Sequence, residues 1–381
     1  MAPVKLGIVG CGNISDAYLR GAGRSSLVSV KACADIAPEV AKAKAEAYGI
    51  QAMSVEDLLA DPEIEIVINL TVPLAHAEVG LRTIEAGKHF YTEKPLAASF
   101  AEAREVIAAT RAKGLQVGSA PDTFLGASHQ AVREAVDEGR IGKVVGGAVC
   151  FATPGMEMWH PNPSFFFKRG GGPVLDIGCY PITQLVNVLG PVASVVAHAS
   201  RGQDTRTVTS EPRNGEVIAV EVPTTVNGAL VFASGANVAF TVSWDIWKHT
   251  RLPIEFYGTE GSILNPDPNF FGGTPKISVR DGDWEDLAIA AFPFGIPNRD
   301  TRRGDMVADY RIIGVLDMAQ AIRAGRPYRA NGDLALHVLE VMEALERSSV
   351  EGHRVRIETL CERPAPVPHG ADENVFVDGA A

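Results

Sequence analysis

Five polar side chains stand where an apolar run gives way to a loop or a helix: Asp35, Thr71, Lys94, Asp176 and Tyr180. Each is of a type that binds or moves charge. Lys94 sits in "KHFYTEKPL", residues 88 to 96, wedged between Glu93 and Pro95 just past a short apolar run. A lysine in a surface loop is ordinarily solvated, but one at the carboxyl end of a buried strand is placed to hold an oxygen that gains negative charge. Asp176 and Tyr180 lie in "GGGPVLDIGCYPIT", residues 170 to 183, where Pro173 suits the first turn of a helix. Four residues apart on a helix, a carboxylate and a phenol share one face. Taken singly, a helical tyrosine is ordinarily core and an early aspartate ordinarily a cap. On spacing alone these readings weigh as much as a functional one.

"GIVGCGNIS" follows a strand pattern and opens a helix, with Gly10, Gly12 and Ser15 in a GxGxx(G/S) arrangement and Asn13 and Ile14 completing the loop. Such glycines let the backbone turn tightly and approach a pyrophosphate, which rests on the helix N-terminus. A purely structural glycine turn is the alternative. Asp35 decides for the ligand, because it ends the next strand roughly twenty residues on, where a carboxylate binds both ribose hydroxyls of NAD and repels the 2′-phosphate of NADP. Ligands of parallel sheets lie outside the carboxyl ends of strands. Thr71 and Pro73 of "INLTVPLAH" are therefore expected near the nicotinamide ribose, and Glu93 and Lys94 border the same edge one strand later. For His76, a place on that crevice and a role as turn and helix cap fit equally.

The elements needed to position these residues are legible. From Lys5 to about Gly118 the runs "KLGIVG", "VSVKACAD", "IEIVINL", "KHFYT" and "LQVGS" alternate with Ala-, Glu- and Leu-rich stretches, the beat of βαβ units on a parallel sheet. Ser54 with Asp57 and Ser99 with Glu102 mark two helix starts. After a helix from Gly126 to Glu138 the texture turns to β-branched runs bounded by Gly, Asn and Pro, and "ALVFASGANVAFTVSW" reads as an antiparallel hairpin. Helices are expected from Asp305 to Ala324 and from Asp333 to Arg347. The domains follow as 1–122, a dinucleotide-binding unit, and 123–365, a substrate-binding and oligomerisation unit, with 366–381 as a tail. The helices around 305–347 are expected to pack back toward the first domain.

With 35 basic against 46 acidic side chains and a net charge of −11, the chain offers polyanions no general attraction, which argues against nucleic acid and anionic membrane as partners. No run approaches the length of a membrane span. The 5 cysteines are scattered without a CxxC pair, which argues against a disulfide framework and a metal site and for a reducing cytoplasm. The N-terminus enters a strand pattern too soon for a signal peptide.

Together, the glycine motif, "AGKHFYTEKPLA" and "GGGPVLDIG" resemble, in order and spacing, the glucose–fructose oxidoreductase, inositol dehydrogenase and rhizopine-catabolism (Gfo/Idh/MocA) oxidoreductases over nearly the whole chain. The resemblance implies an α/β protein: an N-terminal Rossmann domain with a doubly wound parallel sheet, and a C-terminal α+β domain with a large open, mostly antiparallel sheet, packed as a homodimer or homotetramer through that sheet. It implies that Lys94 lies between nicotinamide and substrate, with a cis peptide before Pro95. Many members carry histidine where this chain has Tyr180; tyrosine is similar to the branch of glucose–fructose oxidoreductase and the dihydrodiol dehydrogenases. "SAPDTFLG" and "EMWHPNPSFFF" resemble a subgroup, and Phe124, Trp159, His160, Trp247 and His249 are pocket candidates for which core or sheet packing is an equal reading.

The expected chemistry is reversible, NAD-dependent oxidation of a secondary alcohol on a sugar, cyclitol or related polyol, with Lys94, Tyr180 and Asp176 as the catalytic group. A phenol of pKa ~10 is a poor base at neutral pH. A cation about 4 Å away contributes up to about 4 kcal/mol at an effective dielectric near 20, or about three pKa units. Which of Lys94 and Tyr180 transfers the proton stays open. Two rivals share the glycine loop: a non-catalytic NAD-binding sensor, disfavoured by the joint presence of Lys94, Asp176 and Tyr180, and a sugar–sugar oxidoreductase that keeps its cofactor bound.

Overall fold

The computed structural model describes residues 2–301 and 304–370. Its chain divides into two compact units, the first made of Met1–Gly126, Ala290–Leu336 and Pro364–Ala381, the second of Ala127–Ile289 and His337–Arg363.

The first unit opens with strands β1 (Val4–Val9), β2 (Val28–Ala34), β3 (Gln51–Ala52), β4 (Ile66–Asn69), β5 (His89–Thr92) and β6 (Val117–Ser119), interleaved with helices α1 (Ser15–Ala22), α2 (Pro38–Tyr48), α3 (Val55–Ala60), α4 (His76–Glu85) and α5 (Phe100–Ala112). All pairings are parallel, in the order β3-β2-β1-β4-β5-β6. The order reverses between β1 and β4, where such sheets bind ligands. Every residue of β4 is buried, as expected of a parallel strand covered on both faces. The two capping serines act as read: Ser54 accepts from the Asp57 N–H at 3.0 Å and Ser99 from the Glu102 N–H at 3.3 Å.

The second unit contains α6 (Ala127–Asp137), β7 (Val144–Ala152), α7 (Cys179–Leu189), β8 (Val192–Ser200), the hairpin β9 (Thr205–Thr207) and β10 (Val217–Ala219), then β11 (Thr225–Phe232), β12 (Asn237–Ser243), β13 (Ile254–Gly258), β14 (Gly261–Asn265), β15 (Lys276–Val279) and β16 (Glu285–Asp286). Its large sheet is antiparallel except where β12 runs parallel to β7. The "SGAN" hairpin is β11–β12, with Val231 facing Asn237.

The chain then returns to the first unit with a short hairpin, β17 (Arg299–Asp300) and β18 (Met306–Val307), and helix α8 (Ile313–Ala324). Helix α9 (Gly332–Glu351) and β19 (Val355–Arg356) follow, β19 pairing with β8. A helix from Asp305 is not what forms. Residues 306–307 pair with 299–300, and the buried Asp122 carboxylate accepts the N–H groups of Ile312 at 3.2 Å and Gly314 at 2.9 Å, which sets the helix start. By its contacts the segment 290–336 falls with the first unit and 337–363 with the second. Asp317, fully buried on α8, pairs with Arg329 at 2.6 Å and Arg326 at 2.8 Å and so knits the returning segment to itself, while the Ser119 N–H of β6 donates to the Ala330 carbonyl at 3.2 Å and fixes that segment on the parallel sheet. Among the described residues no helix is long and apolar enough to cross a membrane.

Candidate functional site

β1 delivers the chain to Gly10, whose N–H donates to the Ala34 carbonyl at 2.8 Å and whose φ is +98°. A Cβ there would lie 2.6 Å from the carbonyl carbon of Leu70 and 2.8 Å from the Thr71 nitrogen, so only glycine lets this loop pass beside the one after β4. Gly12 is the opposite case. It is exposed, and a Cβ there would meet nothing within 4 Å, which is the open space a phosphate needs at the head of α1. Asn13 is exposed and Ile14 half-buried beside it. Ser15 is buried, and its hydroxyl donates to the Gly12 carbonyl at 2.6 Å, tying the loop to its own helix.

The half-exposed Asp35 accepts the Cys11 N–H on Oδ2 at 2.8 Å and the Ala37 N–H on Oδ1 at 3.0 Å. Its neighbour Ile36 is 99% exposed and brings no compensating cation. The turn closed by Gly10, the space over Gly12 and a fixed anion one strand away fit a dinucleotide, with pyrophosphate at the loop and ribose hydroxyls on Asp35.

At the end of β4 the buried Asn69 takes both the N–H of Thr71 at 3.1 Å and its hydroxyl at 2.7 Å on Oδ1, fixing the turn before Pro73. His76 is fully buried, with Nδ1 2.6 Å from the Pro95 carbonyl and Nε2 3.1 Å from the Thr71 carbonyl. Burial draws its pKa below the ordinary value, against the pull of those two carbonyls. A neutral imidazole donates to one of these carbonyls, the closer being that of Pro95, and buried in this place it offers no surface to a ligand. The peptide between Lys94 and Pro95 is cis. Glu93 is buried, accepting the Tyr18 hydroxyl on Oε1 at 2.8 Å and the Lys94 N–H on Oε2 at 3.1 Å. The main chain of the half-buried Lys94 is thus held from both sides, by Glu93 before it and by His76 on Pro95 after it.

In the second unit, Pro173 leads into one π-helical turn, Val174–Gly178, which feeds α7 directly. An α-helix from Pro173 is therefore corrected to a π turn, a local widening found often at functional positions. Asp176 is half-buried in that turn and Tyr180 buried at the start of α7. The glycines before it serve close approach: Gly172, at φ +91°, donates to the Phe166 carbonyl at 2.7 Å, and a Cβ on Gly171 would overlap that same carbonyl. Ile177 of the turn packs with Met156, Phe166, Phe167 and Trp244 in one buried cluster, so the two ends of the loop 156–167 lie against the turn that carries Asp176. His160 meets the rings of Trp159 at 5.5 Å and Phe166 at 5.0 Å edge-on, and Trp159 is 47% exposed. The buried Arg206 holds this loop down, donating to Glu157 at 3.0 Å and to the carbonyls of Pro154 at 3.1 Å and Trp244 at 3.2 Å, and pairing with Asp245.

Three pocket candidates, Phe124, Trp247 and His249, sit differently from the rest. Phe124, 1% exposed in a 3₁₀ turn of the first unit, is core and presents nothing to a substrate. Trp247 is 77% exposed beyond β12, and His249 lies with Nε2 3.2 Å from the Ala152 carbonyl at the edge of β7. Sequence reasoning passed over Asn69 and Tyr18. Asn69 carried a signal, a lone polar side chain ending the apolar run "IVIN"; Tyr18, an aromatic at helical spacing, carried none.

Residues 4–120 match the family model of an oxidoreductase family with an NAD-binding Rossmann fold, and residues 129–264 match that of the GFO/IDH/MocA C-terminal domain. The chain is similar to 1,5-anhydro-D-fructose reductase of Ensifer adhaerens, 31% identical over 73% of this chain and 80% of that protein. It is 29% identical to trans-1,2-dihydrobenzene-1,2-diol dehydrogenase of Bos taurus over 65% of this chain and 66% of that one. A solved structure of levoglucosan dehydrogenase in complex with NADH and L-sorbose shares the fold, with a TM-score of 0.80 over 93% of this chain and 99% of that one at 21% identity. The nucleotide loop, the held lysine and the domain matches converge: the chain belongs to the Gfo/Idh/MocA family of NAD-binding oxidoreductases.

Proposed function

We propose that the protein oxidises a secondary hydroxyl of a sugar, cyclitol or related polyol, and reduces the corresponding ketone, with Lys94, Tyr180 and Asp176 as the working side chains. The observation that carries this reading is the double hold on Lys94, whose main chain is fixed by Glu93 on one side and by the His76–Pro95 contact on the other. A surface lysine needs no such support; an ammonium that must meet one oxygen does. NAD, when bound, supplies the hydride acceptor. Gly10, Gly12, Asn13, Ile14 and Asp35 hold it, with Thr71 and Pro73 at the nicotinamide end. Lys94 binds the reacting oxygen and stabilises its negative charge as the proton leaves. Tyr180 shares the proton's transfer, and Asp176 binds a neighbouring hydroxyl or orients the lysine. Trp159 and His160, in the loop whose Met156, Phe166 and Phe167 pack with Ile177, are the aromatic candidates to meet the ring of a substrate.

The same proposal extends to assembly and location. Across the sheet, Val196, Ala229, Ala239 and Ala148 are register neighbours in one row that runs on to Glu255, and Val196 and Tyr257 are exposed on that face, a mostly apolar stretch that supports a homodimer or homotetramer. All five cysteines are free thiols, four of them buried, which supports a reducing cytoplasm. Screening sugars, inositols and sugar acids for NAD reduction tests the function. Turnover of one or more polyols supports it, and NADH binding without turnover of any of them favours a sensor. Nucleotide retained through gel filtration points to a sugar–sugar oxidoreductase.

A further inference from the structure

Tyr18 and Glu93 are 75 residues apart in sequence and joined by a hydrogen bond of 2.8 Å inside the first unit. Tyr18 lies on α1, the helix that the glycine loop opens, and is fully buried. Phenylalanine would satisfy the packing there, whereas a buried hydroxyl is costly unless it finds a partner. Burial and the neighbouring carboxylate push the phenol well above its ordinary pKa, so it keeps its proton and donates. Glu93 is buried as well, and each of its oxygens takes one donor, the phenol and the Lys94 N–H. The last torsion of a glutamate is broad. The N–H contact at 3.1 Å leaves the carboxylate free to swivel, and the shorter, charge-assisted bond from Tyr18 fixes its plane.

We propose that Tyr18 is a positioning residue for Lys94, acting through Glu93, so that the dinucleotide helix and the lysine turn are held as one piece. The inference rests on the role given to Lys94 above. Tyr18 matches His76 in this: one side chain ties α1 to the residue before Lys94, the other, at the start of α4, meets the carbonyl of the residue after it.

The test uses the full-length protein with Tyr18→Phe, Glu93→Gln and both together. For Tyr18→Phe, kcat on the best polyol of the screen falls about tenfold, the order of a lost hydrogen bond to a charged group, while KM and NADH affinity stay within about twofold. The double variant loses less than the product of the single losses, because both break one link. Labelling of Lys94 by an amine-reactive reagent, read by peptide mass spectrometry across pH, also changes in Tyr18→Phe, and this readout needs no substrate. A tyrosine that only fills core would lower the melting temperature and leave the labelling profile of Lys94 untouched. Unchanged kcat with unchanged labelling overturns the inference, as do fully multiplicative losses. If the wild-type protein turns over no polyol, the proposed function fails, and the labelling of Lys94 still decides whether Tyr18 positions it. Should Tyr18→Phe not fold, Glu93→Gln carries the labelling test alone, with an unshifted Lys94 profile overturning the inference.

Discussion

Alanine at Gly10 and alanine at Gly12 separate what the fold requires of a glycine from what a ligand requires. At Gly10, φ of +98° lies outside the regions open to a side chain, at a cost of roughly 1–2 kcal/mol. The new Cβ would also lie 2.6–2.8 Å from backbone atoms of Leu70 and Thr71, which cannot turn aside as a flexible side chain can. Overpacking of this kind adds roughly 1–3 kcal/mol. The sum, about 2–5 kcal/mol, corresponds to a fall in melting temperature of roughly 5–15 °C. At Gly12 a Cβ meets no protein atom within 4 Å, so Gly12→Ala should melt within about 2 °C of wild type. The methyl group would instead occupy the space assigned to pyrophosphate, and NADH affinity should fall at least about tenfold, or about 1.4 kcal/mol. Thermal melts and NADH fluorescence titrations on both variants supply the measurements. A Gly12→Ala protein that binds NADH like wild type would place the pyrophosphate elsewhere, and a Gly10→Ala protein that melts like wild type would refute the close-approach argument.

Asp35 should make kcat/KM at least about a hundredfold higher with NAD than with NADP, since like charges about 4 Å apart repel by up to about 4 kcal/mol at an effective dielectric near 20; equal use of both cofactors would contradict this. Asp122 is raised from 3.8 to about 6, chiefly by burial, so the folded protein binds more protons than the unfolded chain in that interval and stability falls as pH rises through it, by up to about 3 kcal/mol. Asp122→Asn should therefore gain on wild type in thermal melts between about pH 4 and pH 7, and a constant offset across that range would be the contrary result. Light scattering should give a dimer or tetramer at micromolar concentration, and a monomer would remove the case for the apolar sheet face as an interface.

The first unit was legible because a parallel sheet writes itself as buried apolar runs, and because Gly10, Gly12 and Asp35 are constrained by local geometry that spacing reveals. The lysine turn was legible for the same reason. What stayed hidden depends on contacts distant in sequence. Nothing near Tyr18 announces Glu93, and nothing near Asp305 shows that Asp122 holds the N–H groups of Ile312 and Gly314 and so delays the helix. A return of the helices around 305–347 is legible in the sequence, but the contacts that hold 290–336 in the first unit are not: the Asp122 carboxylate on Ile312 and Gly314 and the Ser119 N–H on the Ala330 carbonyl join residues some two hundred positions apart. The π turn was hidden for a different reason: a single widened turn inside a helical stretch leaves no period of its own in the sequence.

The central claim is that Lys94 is held in place to bind the reacting oxygen, and single-turnover hydride transfer in Lys94→Ala tests it most directly. With the best polyol of the screen and NAD in excess, appearance of NADH absorbance gives the transfer rate, and a fluorescence titration gives cofactor affinity. The account predicts NADH affinity within about threefold of wild type and transfer slowed by about 10² or more, the order expected for a lost acid–base or oxyanion partner. Tyr180→Phe should show a comparable loss, with the double variant far from multiplicative. A Lys94→Ala protein that binds NADH and transfers hydride at near wild-type rate would contradict the account.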